Sequence, residues 1–173
     1  MNLFYPSIYN KNILNINYEK LKEKGIKLLI FDLDNTIISY ETNELDKEVI
    51  HLFKKLKKDF KIVVLSNTTN STKIKKICSI LDINYIKFAC KPLFFGFNKI
   101  KRMYNISYNN MCMIGDQILT DIYGANNLGI NSCLIEKISD VEGRYTKFKR
   151  KIEKIIEKKL KKKYNFERGK YYD

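Results

Sequence analysis

Residues 26–36 read IKLLIFDLDNT: an unbroken apolar run, Leu28 to Phe31, that ends abruptly in two aspartates spaced by one residue. A four-residue run with no polar alternation predicts a strand buried on both faces, as in a parallel sheet. Similar runs recur at 60–65 (FKIVVL), 85–88 (YIKF), 111–114 (MCMI) and 130–135 (INSCLI). Between them the apolar residues switch to helical spacing. Leu45, Val49, Leu52, Phe53 and Leu56 share one face over 45–58, and Ile74, Ile77, Cys78 and Leu81 share one over 71–82. Stretches 93–104 and 118–128 are further helix candidates, the second closing at Gly129. Strand and helix in alternation predict an α/β domain with a parallel sheet covered on both sides.

Ligands of such sheets bind beyond the C-terminal strand ends, so the residues after each run matter most. Asp32, Asp34, Asn35 and Thr36 follow the first run, Ser66 and Asn67 the second, and Gly115, Asp116, Thr120 and Asp121 the fourth. Any one of these groups could be a helix cap or turn. Three together on one sheet edge point to a site. Alternate residues of an extended segment point the same way. Asp32 and Asp34 therefore repel and desolvate each other unless a positive charge lies close. A hard cation such as Mg²⁺, which takes one or two carboxylates plus substrate phosphate, meets that need, and Asp116 can complete the acidic set. Lys91, before Pro92, supplies a fixed positive charge, with Pro92 expected in the first turn of the next helix. Ser66 and the backbone N–H groups around Asn67 are placed to grip phosphate oxygens.

With these residues in view, the chain resembles the haloacid dehalogenase (HAD) superfamily over about 31–122, its four motifs falling on DLDNT (32–36), Ser66, Lys91 and GDQILTD (115–121). It is most similar to the YqeG-type phosphatases of class IIIA. The shared features are YPSIY (5–9), ILNIN (13–17), EKGIK (23–27), CKP (90–92) and the tail TKFKRKIE (146–153). That family is related to phosphatidylglycerophosphate phosphatases. The resemblance implies a Rossmannoid three-layer sandwich with five parallel strands in the order 5-4-1-2-3. It implies Asp32 as the nucleophile forming an aspartyl-phosphate, and Asp34 as general acid and then base. Mg²⁺ would be held by the Asp32 carboxylate, the Asp34 carbonyl and Asp116. Ser66 and Lys91 would bind the phosphoryl group, Thr36 would support the loop, and Asp121 would orient Lys91 or metal-bound water. The second aspartate argues against dehalogenation, which needs no leaving-group proton. The intervals Asp32–Ser66 and Ser66–Lys91 are too short for an inserted cap domain. An open site implies a large or surface-presented substrate, and a phosphate on an anionic lipid fits.

The remaining features set the context. The chain has 173 residues, 45% hydrophobic, enough for one domain with a core of its own. We expect a single unit over 1–165, with a catalytic core at 25–136, a basic amphipathic helix at 145–163 and a polar tail at 166–173. No apolar run approaches the roughly 18–20 residues that cross a bilayer. The N-terminus lacks a basic, then apolar, leader pattern, and the four cysteines stand singly as reduced thiols do. These point to a cytoplasmic protein, at most peripheral on the inner face of a membrane or on the matrix side of an organelle. Net charge is +14, which suits polyanionic partners, although AT-rich codon bias explains it equally well. Between Lys147 and Lys163 ten basic residues face two acidic ones, with Phe148, Ile152, Ile155, Ile156 and Leu160 forming one stripe. That stripe is expected to pack on the sheet with its lysines solvated. Alternatively the helix meets an anionic lipid surface. Two other functions stay open: a phosphatase for a phosphorylated protein, nucleotide or nucleic-acid end, and a basic scaffold on RNA or ribosomes that keeps only the fold. No nucleic-acid-binding motif is present.

Overall fold

The computed structural model describes residues 3–164 and 166–169. Its centre is a six-stranded, all-parallel sheet. The strands are β1 (Ile8–Asn10), β2 (Leu28–Phe31), β3 (Lys61–Leu65), β4 (Asn84–Ile86), β5 (Met111–Gly115) and β6 (Asn131–Ile135). They lie in the order β1-β6-β5-β2-β3-β4. The five runs expected from sequence thus take the expected order, and a sixth strand, β1, is added at the outer edge of β6. Ile8 pairs with Cys133 and Asn10 with Ile135. Three residues inside YPSIYN are too short a run to betray a strand by periodicity.

Every residue of β2 is fully buried, because helices cover both faces. On one face Leu29, Phe31, Val64 and Ile114 pack with Phe53 of α2 (Lys47–Leu56) and with Ile74 and Ile77 of α3 (Ser71–Leu81); Leu21 of α1 (Tyr18–Glu23) joins them. On the other, Leu28, Ile30, Val63, Leu65 and Met113 pack with Phe97 and Ile100 of α4 (Phe95–Tyr104) and Ala125 of α5 (Tyr123–Asn126). Asp46 caps α2 by accepting from the Glu48 N–H, and Asn70 caps α3 by accepting from the Lys73 N–H. The interval from β2 to β3 holds only a loop and α2; that from β3 to β4 holds only α3 and its connections. Neither carries a cap.

Three local expectations are corrected. Pro92 does not open α4: the Lys91–Pro92 peptide is cis, and the helix begins at Phe95. The 118–128 segment is not one regular helix but a π-helical turn, Ile118–Ile122, leading into the short α5. The end of the chain is not simply a polar tail. Phe166 is buried, stacked on Tyr9 with ring centroids 4.8 Å apart, and the Gly169 N–H donates to the Tyr9 carbonyl. Residues 170–173 lie outside the described residues.

The last helix, α6 (Arg144–Tyr164), carries the largest surprise. Leu160 is buried against Ile118, Ile122, Leu134 and Phe166, and Ile156 is half-buried there. Phe148, Ile152 and Ile155 point outward, with Phe148 66% exposed. Most of the expected core-facing stripe is therefore solvent-facing, and Arg150 and Glu153 join Ile156 and Leu160 in turning inward.

Candidate active site

β2 and β5 are neighbours whose following chains diverge to opposite sides, which opens a crevice at their C-terminal ends. Phe31 pairs with Ile114, and the Asp32 N–H donates to the Ile114 carbonyl at 2.9 Å. That register sets Asp32 beside Asp116. The π turn then brings Asp121 over the same edge. Only glycine fits at 115, because a Cβ there would overlap the Asp121 carboxylate. Oxygens of Asp32, Asp116 and Asp121, all buried, lie within 4.8 Å of one another.

Lys91 enters from the far side of the sheet. Its Nζ donates to Asp32 Oδ1 and to Asp121 Oδ1, each at 2.7 Å, and the side chain is almost wholly buried. Asn67 fixes its backbone reciprocally: the Lys91 N–H donates to Asn67 Oδ1 at 2.8 Å, and Asn67 Nδ2 donates to the Lys91 carbonyl at 3.0 Å. The Asn67 side chain is thereby committed, which leaves its backbone for any contact with phosphate. Ser66 is buried at the end of β3, its Oγ accepting from the Thr68 N–H. Thr36 Oγ1 donates to Asp116 Oδ1 at 3.3 Å, so its support runs across to the neighbouring strand end.

Asp34 departs from expectation. Its carboxylate does not share the acidic cluster but pairs with Lys73 Nζ at 2.7 Å. Lys73, 5% exposed in the first turn of α3, also donates to the carbonyls of Ser39 and Tyr40. The positive charges that two nearby aspartates require are thus Lys91 for one and Lys73 for the other. Sequence reasoning missed Lys73 because one lysine among the many in this chain carries no distinguishing signal. It also missed Arg150, whose guanidinium pairs with Asp116, Glu142 and Glu153. The tail motif TKFKRKIE held that residue and Glu153, but the partner that ties them to the site, Asp116, lies 34 residues away.

Burial dominates the electrostatics. It pushes the Asp32 carboxyl up to about 6, against the pull of the Lys91 ammonium. It lifts Asp116 to about 8, although Arg150 pulls the other way. Burial also works against the Lys91 charge, but Asp121 and Asp32 more than offset it, and its pKa is raised. Around the crevice six carboxylates (Asp32, Asp34, Asp116, Asp121, Glu142, Glu153) are ion-paired with three cations (Lys73, Lys91, Arg150), and Lys149 adds a fourth cation on the crevice wall. This deficit of positive charge, with hard oxygen donors clustered at the strand ends, suits a divalent cation of the Mg²⁺ type. The crevice holds about 260 Å³ and is lined by Asp32, Asp34, Ser66 and Lys91. Tyr40, Thr146 and Lys149 also wall it.

The family model described as mitochondrial PGP phosphatase matches residues 1–138. The Bacillus subtilis (strain 168) protein named "Probable phosphatase YqeG" is 34% identical over 161 residues, covering 92% of this chain and 93% of that one. Phosphatidylglycerophosphate phosphatase 1, chloroplastic/mitochondrial, of Arabidopsis thaliana is 25% identical over 146 residues, covering 79% of this chain and 42% of that protein. The solved HAD phosphatase from Thermococcus onnurineus shares the fold at a TM-score of 0.55 and 16% identity, over 69% of this chain and 90% of that one. The magnesium-bound HAD-hydrolase YfnB of Bacillus subtilis also reaches 0.55, at 13% identity, over 69% and 91%. Taken with the acidic crevice at the strand ends, these matches show that the chain belongs to the mitochondrial PGP phosphatase family, as a YqeG-type phosphatase of the HAD superfamily.

Proposed function

We propose that this phosphatase cleaves a phosphomonoester by transfer to Asp32, and that its substrate is phosphatidylglycerophosphate presented at a membrane surface. The observation that carries the catalytic part is the buried bridge of Lys91 between Asp32 and Asp121, at 2.7 Å to each, on the wall of the crevice that Ser66 also lines. An ammonium held there neutralises charge on the nucleophile and on the transferring phosphoryl group without reorganising. Asp32 attacks phosphorus as the bond to the leaving oxygen breaks. Asp34, on the same loop, gives a proton to that oxygen and then takes one from the water that hydrolyses the aspartyl-phosphate. Its partner Lys73 orients its carboxyl on the wall of the crevice. Ser66 Oγ and the Asn67 backbone hold the phosphoryl oxygens, and Thr36 steadies Asp116. The Asp32 and Asp116 carboxylates and the Asp34 carbonyl would hold Mg²⁺, which supplies further neutralisation of phosphate charge.

The lipid part rests on kinship and on the surface. The Arabidopsis relative is named for this substrate. No described helix is long and apolar enough to cross a membrane, but α6 offers Phe148, Ile152 and Ile155 outward among lysines. An apolar stripe flanked by basic residues suits a helix lying on an anionic bilayer. Leu93, Phe94 and Phe95, which follow Lys91 and Pro92 in the chain, are exposed as well. This reading places the protein on the cytoplasmic side of a membrane, without crossing it.

Phosphate release from p-nitrophenyl phosphate with and without Mg²⁺, with Asp32→Asn as control, tests the chemistry. Equal rates for the two proteins would end it. A panel of phosphatidylglycerophosphate in anionic vesicles, a phosphopeptide, nucleotides and 5′-phosphorylated oligonucleotides tests the substrate. A soluble phosphate turned over faster than the lipid would defeat the lipid assignment.

A further inference from the structure

The motif TKFKRKIE has no role in the chemistry above, yet it delivers the most connected side chain near the site. Arg150 Nε donates to Glu142 at 2.8 Å, and Nη1 donates to Glu153 at 2.8 Å and to the Asp116 carbonyl at 2.7 Å. Its Nη2 pairs with Asp116 Oδ2. One guanidinium therefore holds Asp116 by main chain and side chain together, through two nitrogens of one rigid planar fork. Glu153 carries the link onward: its Oε1 accepts from the Leu119 N–H, in the π turn that positions Asp121, and Asp121 holds Lys91.

The setting of α6 makes the contact purposeful. A helix placed only to fill space would bury Phe148, Ile152 and Ile155 and leave Arg150 in water. Here the reverse holds: those three are exposed, while Glu153 is 4% exposed and Arg150 reaches inward. Apolar burial has been forgone to bring one guanidinium onto Asp116.

We infer that Arg150, braced by Glu142 and Glu153, is a positioning residue for Asp116, and that α6 is thereby part of the catalytic unit. With Oδ2 held by Arg150, Oδ1 is left with the Thr36 hydroxyl, and the carboxylate so fixed keeps an oxygen within 4.8 Å of those of Asp32 and Asp121. Arg150 fixes the rotamer in which Asp116 serves the cation. The inference rests on the assignment of Asp116 to the cation site.

The test uses full-length Arg150→Lys, Arg150→Ala, Asp116→Asn and the surface control Lys151→Ala. Circular dichroism reports folding. Mn²⁺ binding by electron paramagnetic resonance, without substrate, reports the site. Hydrolysis of p-nitrophenyl phosphate against Mg²⁺ concentration reports function. Arg150→Lys should stay folded, bind Mn²⁺ about tenfold more weakly and need about tenfold more Mg²⁺ for half-activation, with KM for the ester changed far less. Arg150→Ala should lose more, and added guanidinium ion should restore part of it. Lys151→Ala should match the parent. If Arg150→Lys binds Mn²⁺ like the parent, the inference is overturned, whether or not Arg150→Ala folds. If instead Asp116→Asn keeps parental Mn²⁺ affinity, the cation assignment itself fails, a result distinct from the first.

Discussion

Replacing Lys91 with methionine keeps the unbranched stem as far as Cε and removes the ammonium. In the native protein that ammonium is buried and lies 2.7 Å from both Asp32 and Asp121. Its loss strands two largely buried carboxylates without their counter-charge. Breaking a buried ion pair from one side costs about 3–5 kcal/mol. For a chain of this length each kcal/mol moves Tm by roughly 2–4 °C, so a fall of about 6–20 °C is expected near pH 8. The loss should depend on pH, with a definite sign. The Asp32 carboxyl already sits at about 6 in the folded protein, above its ordinary 3.8, because burial outweighs the pull of Lys91. A group raised in the folded state contributes its full stability below the unfolded pKa and loses it as pH rises through the folded one. Without Lys91 the folded value climbs further, so Asp32 takes up a proton under mildly acid conditions and escapes the penalty. Thermal unfolding of Lys91→Met in EDTA should therefore show a deficit at pH 8 that shrinks markedly at pH 5. Adding Asp32→Asn should recover part of the deficit at pH 8. A Lys91→Met protein as stable as the parent at pH 8, or one whose deficit is the same at both pH values, would refute the reasoning.

Other perturbations have equally specific outcomes. Lys73→Met unties Asp34 and the Ser39 and Tyr40 carbonyls; kcat for p-nitrophenyl phosphate should fall at least tenfold and stability by about 1–3 kcal/mol in urea titration, and a parental kcat would remove Lys73 from the site. Gly115→Ala forces the Asp121 carboxylate off its place beside Lys91, so hydrolysis should fall steeply, with a stability loss of about 1–3 kcal/mol; unchanged kinetics would contradict that packing. Glutamates at Phe148, Ile152 and Ile155 should weaken sedimentation with phosphatidylglycerol vesicles while leaving p-nitrophenyl phosphate hydrolysis near parental. Undiminished vesicle binding would mean that another surface meets the lipid.

What could be read from sequence divides along a physical line. The strands β2, β3, β5 and β6 were legible because a parallel sheet buried on both faces leaves uninterrupted apolar runs. The positions of Asp32, Ser66, Lys91, Asp116 and Asp121 were legible because each lies at or near the end of such a run. Features set by long-range partners were not. Lys73 finds Asp34 across 39 residues, and Arg150 finds Asp116 across 34. The stripe from Phe148 to Leu160 has core-like spacing, and periodicity alone says that one face differs, not which face turns inward. That choice follows Arg150 and Glu153, whose acceptors and donors lie just after β5, in the 142 loop and in the π turn. Phe166 looked like part of a polar tail because its neighbours in sequence are polar, whereas its neighbours in space are Tyr5 and Tyr9.

The central claim is that Asp32 takes the phosphoryl group and Asp34 then activates water. In Asp34→Asn the first step survives with p-nitrophenyl phosphate, whose leaving group needs little help from an acid, but the second is crippled. Rapid mixing of Asp34→Asn with that ester should give a burst of one equivalent of p-nitrophenolate, and mass spectrometry after an acid quench should find the phosphoryl adduct on the peptide bearing Asp32. No burst, or an adduct on any other residue, would contradict the account.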